Sequence, residues 1–298
     1  MTGASSYKAQ LRANFAIIYL VWGSTFLVIR IGVQDLPPLL FAGGRALIAG
    51  LVLLLLALRQ RDELPRTRRD WLLMGFFALT LLVLSSGPAT YALQYLPSNE
   101  VALLNASLAL WIAGLGTLGP KGQKVTFRSM AGLLLGFAGV ALLVWPESEV
   151  HLDSHLGWQL LVLAGCLSWA IGTIVYRNQT LAVGPVGFNA ILMLLGGVGL
   201  VVAGAASGEV PRWHWEMRGM LAMLYLALIG SALAYTAYTW LLKNARTDRV
   251  ATFAYVNPAI ATLLGWLVLG ETLTAQQTLG RFVILGAVAL VTMPTRIA

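Results

Sequence analysis

The sequence predicts an all-α polytopic membrane protein with ten transmembrane helices. Three observations carry that expectation: an apolar composition, a one-sided placement of basic residues and an internal repeat. Hydrophobic residues fill 58% of the 298 positions and charged residues only 11%, against about 25% charged in soluble domains. A water-soluble globule of this kind would expose large apolar patches.

Stretches of about 20 apolar residues cross a hydrocarbon layer of roughly 30 Å as helices. Ten occur in order, at 14–33, 38–58, 71–95, 98–118, 129–146, 157–177, 185–206, 219–242, 249–269 and 276–293. Charged residues or Pro and Gly breaks bound them. Lys8 and Arg12 before the first stretch give it a signal-peptide look, but its run is long and nine more spans follow, so it reads as a membrane helix. The longest connections, 59–70 and 146–156, are too short for a second folded domain. Cys166 is the only cysteine, which excludes an intrachain disulfide.

A net charge of +8 raises the question of nucleic acid, and the placement of the charge answers it. With the N-terminus inside, the inner segments hold Lys8, Arg12, Arg59, Arg61, Arg66, Arg68, Arg69, Lys121, Lys124, Arg128, Arg177, Lys243, Arg246, Arg249 and Arg296, and the outer loops hold Arg212 and Arg218. Fifteen against two is the positive-inside bias of a polytopic membrane protein, with both termini cytoplasmic and no nucleic-acid partner. Asp35, Glu100, Glu147, Glu149, Asp153, Glu209, Glu216 and Glu271 lean to the outer side.

The segment LVWGSTFLVIRIG at 20–32 returns as LSWAIGTIVYRN at 167–178, so Trp22 and Arg30 recur as Trp169 and Arg177. Phe41/Phe188, Gly50/Gly197, Val101-Ala102/Val250-Ala251 and the pattern at Gly122–Gly132/Gly270–Gly280 continue the match at offsets of 147 to 149. The chain therefore reads as a tandem duplication, with five helices in 1–150 and five in 151–298. Five is odd, so the second copy enters the membrane upside down. Inverted repeats suit alternating access around a central site.

Candidate site residues follow from polarity inside apolar spans. Trp22 and Trp169 fall mid-helix, away from interfacial belts, and each indole N–H needs a partner. With Trp111, Tyr91 and Tyr238 they would form aromatic walls, while Ser24, Ser86, Asn105 and Asn257 would offer hydrogen bonds. Arg45 lies about seven residues into its span, where a charge costs at least roughly 2.5–3.5 kcal/mol; it should pair with Asp35 or Glu100, or bind a substrate carboxylate. Arg30 reads as an interfacial anchor. No Asp, Glu or His sits near the middle of a span, so the usual proton relay lacks a site and facilitated flow or exchange is expected. Pro258, opposite Ala109 in the first half, should loosen its helix and make gating unequal.

Other motifs carry less. Gly114–Gly119 fits G-x-G-x-x-G but follows no strand, so it is not a dinucleotide site. His151, Asp153 and His155 fall in a loop that reads as exposed rather than metal-binding. Gly132 with Gly136, and Gly196 with Gly197, suit close helix packing. No nucleophile has a plausible base, and no cofactor or metal is expected.

The pieces VWGSTFLVIRIG at 21–32, Pro37-Pro38 through Gly44-Arg45, the turn at 96–98, YVNP at 255–258 and LGETLT at 269–274 resemble the EamA-type, ten-helix branch of the drug/metabolite transporter superfamily. That resemblance implies bacterial inner-membrane export of amino acids, related metabolites or toxic compounds through a cavity between two five-helix halves. Near Tyr91–Gln94 members often carry a glutamate that is absent here, and Gln123 stands where the second half has Glu271. The expected activity is export or exchange of a small solute, neutral or zwitterionic amino acids first. A multidrug exporter is the alternative within this class, and a membrane-embedded sensor or enzyme the alternative outside it.

Overall fold

The computed structural model describes residues 2–118, 127–144, 152–245, 253–272 and 274–292. Gly119, Lys121, Gln123, Lys124, Glu147, Glu149, His151, Arg246, Arg249 and Arg296 lie outside them, as do the side chains of Asp153, Arg177, Lys243 and Tyr255. The described residues fold as ten helical segments: α1 (Thr2–Asp35), α2 (Pro38–Arg59), α3 (Arg68–Phe77 continuing through Ala78–Val83 to Ser86–Ala92), α4 (Ser98–Ala106 and Leu108–Leu115), α5 (Phe127–Val144), α6 (Leu152–Asn178), α7 (Pro185–Ala206), α8 (Met217–Tyr225, Leu226–Leu233 and Ala234–Asn244), α9 (Phe253–Leu269) and α10 (Ala275–Thr292).

Among the described residues, six helices are long and apolar enough to cross a membrane: Ser6–Asp35, Pro38–Arg59, Arg68–Ala92, His155–Tyr176, Pro185–Ala206 and Met217–Tyr238. The other four expected spans, α4, α5, α9 and α10, do not meet that combination of length and apolar character among the described residues. α4 is interrupted at Ser107, α9 is 17 residues long, and α10 opens on Ala-Gln-Gln-Thr and carries Arg281. α9 runs through Pro258 as one helix. At the interruption of α4 the Ser107 hydroxyl donates to the Leu104 carbonyl at 2.6 Å.

Packing begins with α2 and α7, which run side by side and hold each other at both ends. Each starts with a proline in its first turn, where the missing N–H costs no helical bond. Side-chain carboxylates supply the caps. The amides of Val186 and Gly187 donate to Asp62 at 2.9 and 2.8 Å, and those of Leu39 and Leu40 donate to Glu209 at 3.0 and 2.9 Å. A carboxylate at a helix N-terminus satisfies orphan donors and meets the favourable end of the macrodipole.

Between the caps, glycines let the two backbones approach. A Cβ on Gly50 would fall 2.8 Å from Leu194 Cγ, and one on Gly197 would fall 2.9 Å from Leu47 Cγ, so neither position accepts a side chain without separating the helices. Gly196 lies equally close to Leu82, and Gly136 to Leu110, as the small-residue spacing led us to expect. The buried core divides into a cluster around Phe77, Leu81, Phe188 and Ile191 and a larger one around Phe41, Leu96, Leu104 and Ile284.

Candidate functional site

The site is built where α3 and α8 depart from regular helix. Both contain a π-helical stretch, at Ala78–Val83 and Leu226–Leu233. In α3 the Leu84 amide reaches back to Leu79 at 2.8 Å, and Pro88 four residues on has no N–H to give the Leu84 carbonyl. A widened turn frees carbonyls, which in a hydrocarbon layer must find another donor. The partner helices provide it. Ser168 Oγ of α6 donates to the Thr80 carbonyl at 2.9 Å, and Trp22 Nε1 of α1 donates to the Gly230 carbonyl at 3.1 Å. Gly165 permits this approach, since a Cβ there would lie 3.1 Å from the Ser85 carbonyl oxygen.

Arg45 of α2 points between these two helices. Its Nη2 donates to Ser86 Oγ at 2.8 Å, immediately after the widened turn of α3, and Tyr235 of α8 is its electrostatic neighbour. The carboxylates expected to neutralise it are used elsewhere: Asp35 pairs with Arg218 at 2.6 Å, and Glu100 accepts from Gln159 Nε2 at 2.6 Å. Among the described residues, no carboxylate forms an ion pair with Arg45.

Aromatic rings close one side of this region. Trp22 lies 5.5 Å from Tyr235, 5.1 Å from Tyr238 and 5.2 Å from Phe253, centroid to centroid, within the range of favourable edge and tilted contacts. Trp169 and Tyr235 pack against the Phe77–Phe188 cluster. The structure thus brings Trp22, Arg45, Ser86 and Tyr238 around Tyr235, with Trp169 on the neighbouring apolar wall.

The remaining candidates sit elsewhere. Ser24 shares a 2.8 Å hydrogen bond with the Tyr225 hydroxyl. Tyr91 belongs to a separate aromatic group with Tyr95 and Trp158, the last two stacked at 4.2 Å. Asn105 donates to the Val101 carbonyl and accepts from the Cys166 thiol. Trp111 lies against Phe137 of α5 at 4.8 Å. The indole N–H of Trp111 and Asn257 Oδ1 are buried without a partner among the described residues. Arg30 is no lipid-facing anchor, because its guanidinium donates to the Leu93 carbonyl at the end of α3. Glu271 caps α4 through Ser98 N, Ser98 Oγ and Asn99 N at 2.8, 2.8 and 3.1 Å.

Reading polar residues inside spans located Arg45, Ser86 and Trp22 but passed over Ser168 and the Gly230 carbonyl. Pro88 was the available signal for the first. Nothing in the sequence of 226–233 marks the second, since no proline opens that turn.

A family profile described as the EamA-like transporter family matches twice, over residues 13–145 and 156–293. The chain belongs to the EamA-like transporter family. This EamA-like protein is 38% identical over 283 residues to the uncharacterized inner membrane transporter YedA of Escherichia coli K12, covering 94% of this chain and 90% of that one. It is 27% identical over 283 residues to a probable amino-acid metabolite efflux pump of Salmonella typhimurium, covering 90% of each. One solved structure matches with a TM-score of 0.68 at 19% identity, over 95% of this chain and 97% of that one, which is a likeness of fold. The EamA-like chain is accordingly a membrane transporter of the drug/metabolite transporter superfamily.

Proposed function

We propose that this protein is an inner-membrane secondary transporter that exports or exchanges small metabolites, neutral or zwitterionic amino acids first, by alternating access around Arg45. The observation that carries this reading is the guanidinium itself: set among helices, oriented by Ser86 and without a carboxylate partner among the described residues. A solute carboxylate would meet it as a charge-assisted pair, stronger and more directional than a neutral hydrogen bond. Trp22, Tyr235 and Tyr238 would receive the apolar part, and their ring faces would tolerate an ammonium group. The name of the Salmonella relative favours the same substrate class.

In this reading residues 1–150 and 151–298 are inverted five-helix repeats, with both termini cytoplasmic. Reciprocity supports the inversion. Asp62 and Glu209, Gly50 and Gly197, and Leu47 and Leu194 are each 147 residues apart, and each pair makes matching contacts on the opposite half. The family profile likewise matches once in each half, over 13–145 and 156–293. The two widened turns, in α3 and α8, then become the equivalent points at which the halves flex. The described carboxylates sit near helix ends, which favours exchange over proton-driven transport; uptake that collapses with an uncoupler would contradict that part.

Counterflow of radiolabelled amino acids into preloaded proteoliposomes tests the proposal. Saturable exchange is expected in wild type, partial exchange in Arg45→Lys and loss of roughly tenfold or more in Arg45→Ala. The Trp169→Ala variant should also lose exchange if the cavity extends to that wall. Exchange equal in wild type and Arg45→Ala would refute the assignment of Arg45. No exchange of any amino acid by folded protein would shift the reading to a multidrug exporter.

A further inference from the structure

At the end of the bundle that carries the N-terminus, a groove of about 740 Å³ opens outward, lined by Arg68, Arg69, Leu72, Leu73, Phe76 and Val175. Its form follows from the start of α3. Thr67 and Asp70 close a capping box that fixes the first turn and occupies the nearest carboxylate: the Thr67 amide and hydroxyl donate to Asp70 Oδ2, and the Asp70 amide donates to Thr67 Oγ1. Arg68 and Arg69 consequently point out at the rim, and Arg69 is steadied where Nη2 donates to Gln179 Oε1 of the α6–α7 connection at 2.7 Å.

Above the arginines the wall is apolar. Leu72 and Phe76 lie on one face of α3, both exposed. From Arg68 to Phe76 the helix rises about 12 Å, the scale over which a lipid passes from phosphate to acyl chain.

The geometry points to a binding site for one anionic phospholipid, with its phosphate between Arg68 and Arg69 and an acyl chain along Leu72, Leu73, Phe76 and Val175. Charge complementarity selects this occupant over a neutral lipid. Two exposed guanidinium side chains against one Asp70 carboxylate leave a net positive charge at the groove mouth, and basic pockets between membrane helices are the usual setting for anionic headgroups. The site is separate from Arg45 and does not depend on the transport reading.

Native mass spectrometry of the full chain in mild detergent, with phosphatidylglycerol or phosphatidylcholine of identical acyl chains, tests the proposal. Wild type should retain phosphatidylglycerol with a preference on the order of tenfold. The double variant Arg68→Gln/Arg69→Gln should lose that preference, and Val175→Trp, which fills the groove while keeping both charges, should reduce lipid retention. Arg59→Gln/Arg61→Gln, an equal loss of charge at the same end, should leave the preference unchanged. Equal loss in both double variants, or full retention in Val175→Trp, would overturn the site and reduce the effect to unspecific surface charge.

Discussion

The helix pair α2/α7 and the tryptophan pair Trp22/Trp169 come from the same internal repeat, yet the structure treats them differently. In α2/α7 the residues change and the geometry stays. An aspartate on one side and a glutamate on the other take two helix amides each, at 2.8 to 3.0 Å. With the tryptophans the residue stays and the surroundings change. Trp22 donates to the Gly230 carbonyl inside a cage of three aromatic rings, whereas Trp169 packs on an aliphatic and phenylalanine wall. The caps satisfy backbone amides that any helix start leaves open, so either carboxylate serves the same need. A mid-helix indole has no such fixed demand, and its partner depends on what each half packs against it.

Substitutions in pairs break or sharpen this contrast. The largest effect is expected for Gly50→Ala and Gly197→Ala. Each added Cβ would sit under 3.0 Å from a leucine Cγ and 3.0 Å from that leucine's backbone nitrogen, so each should lower stability by about 1–3 kcal/mol. Thermal unfolding in detergent should show similar losses for the two, and a large inequality would argue against equivalence. Next come Asp62→Ala and Glu209→Ala, each uncovering two amides, at about 0.5–2 kcal/mol and again alike.

The interior should break the pattern. Trp22→Phe strands the Gly230 carbonyl and should cost about 1 kcal/mol, along with a change in solute exchange. Trp169→Phe should cost less, and equal penalties would show that the two indoles do the same work. The smallest effect belongs to Arg218→Ala. The Asp35–Arg218 pair has no counterpart, since Ala182 stands 147 residues after Asp35, and the arginine is 62% exposed; an exposed ion pair contributes about 0.2–1 kcal/mol.

The membrane class and the helix order were legible because composition and hydropathy are properties of the chain itself. Arg45 was legible too, as a charge where none is cheap. Its partners were not. Nearby charge suggested Asp35 or Glu100, but helix rotation decides which groups meet, and one-dimensional spacing says little about rotation. The interruption of α4 at Ser107 was not legible either, since Ser24 and Thr25 make the same backbone contact inside the unbroken α1. The widened turn of α8 carries no sequence punctuation and becomes visible only through the indole that satisfies it.

The most direct test of the proposed inversion uses positions that repeat at 147 residues and are both exposed, Gln60 and Ser207. The lone native thiol, Cys166, is buried and 2% exposed, so Gln60→Cys and Ser207→Cys can be read separately with a membrane-impermeant maleimide on intact cells. The account predicts that Ser207→Cys labels from outside while Gln60→Cys labels only after permeabilisation. Labelling of both from the same side would contradict it.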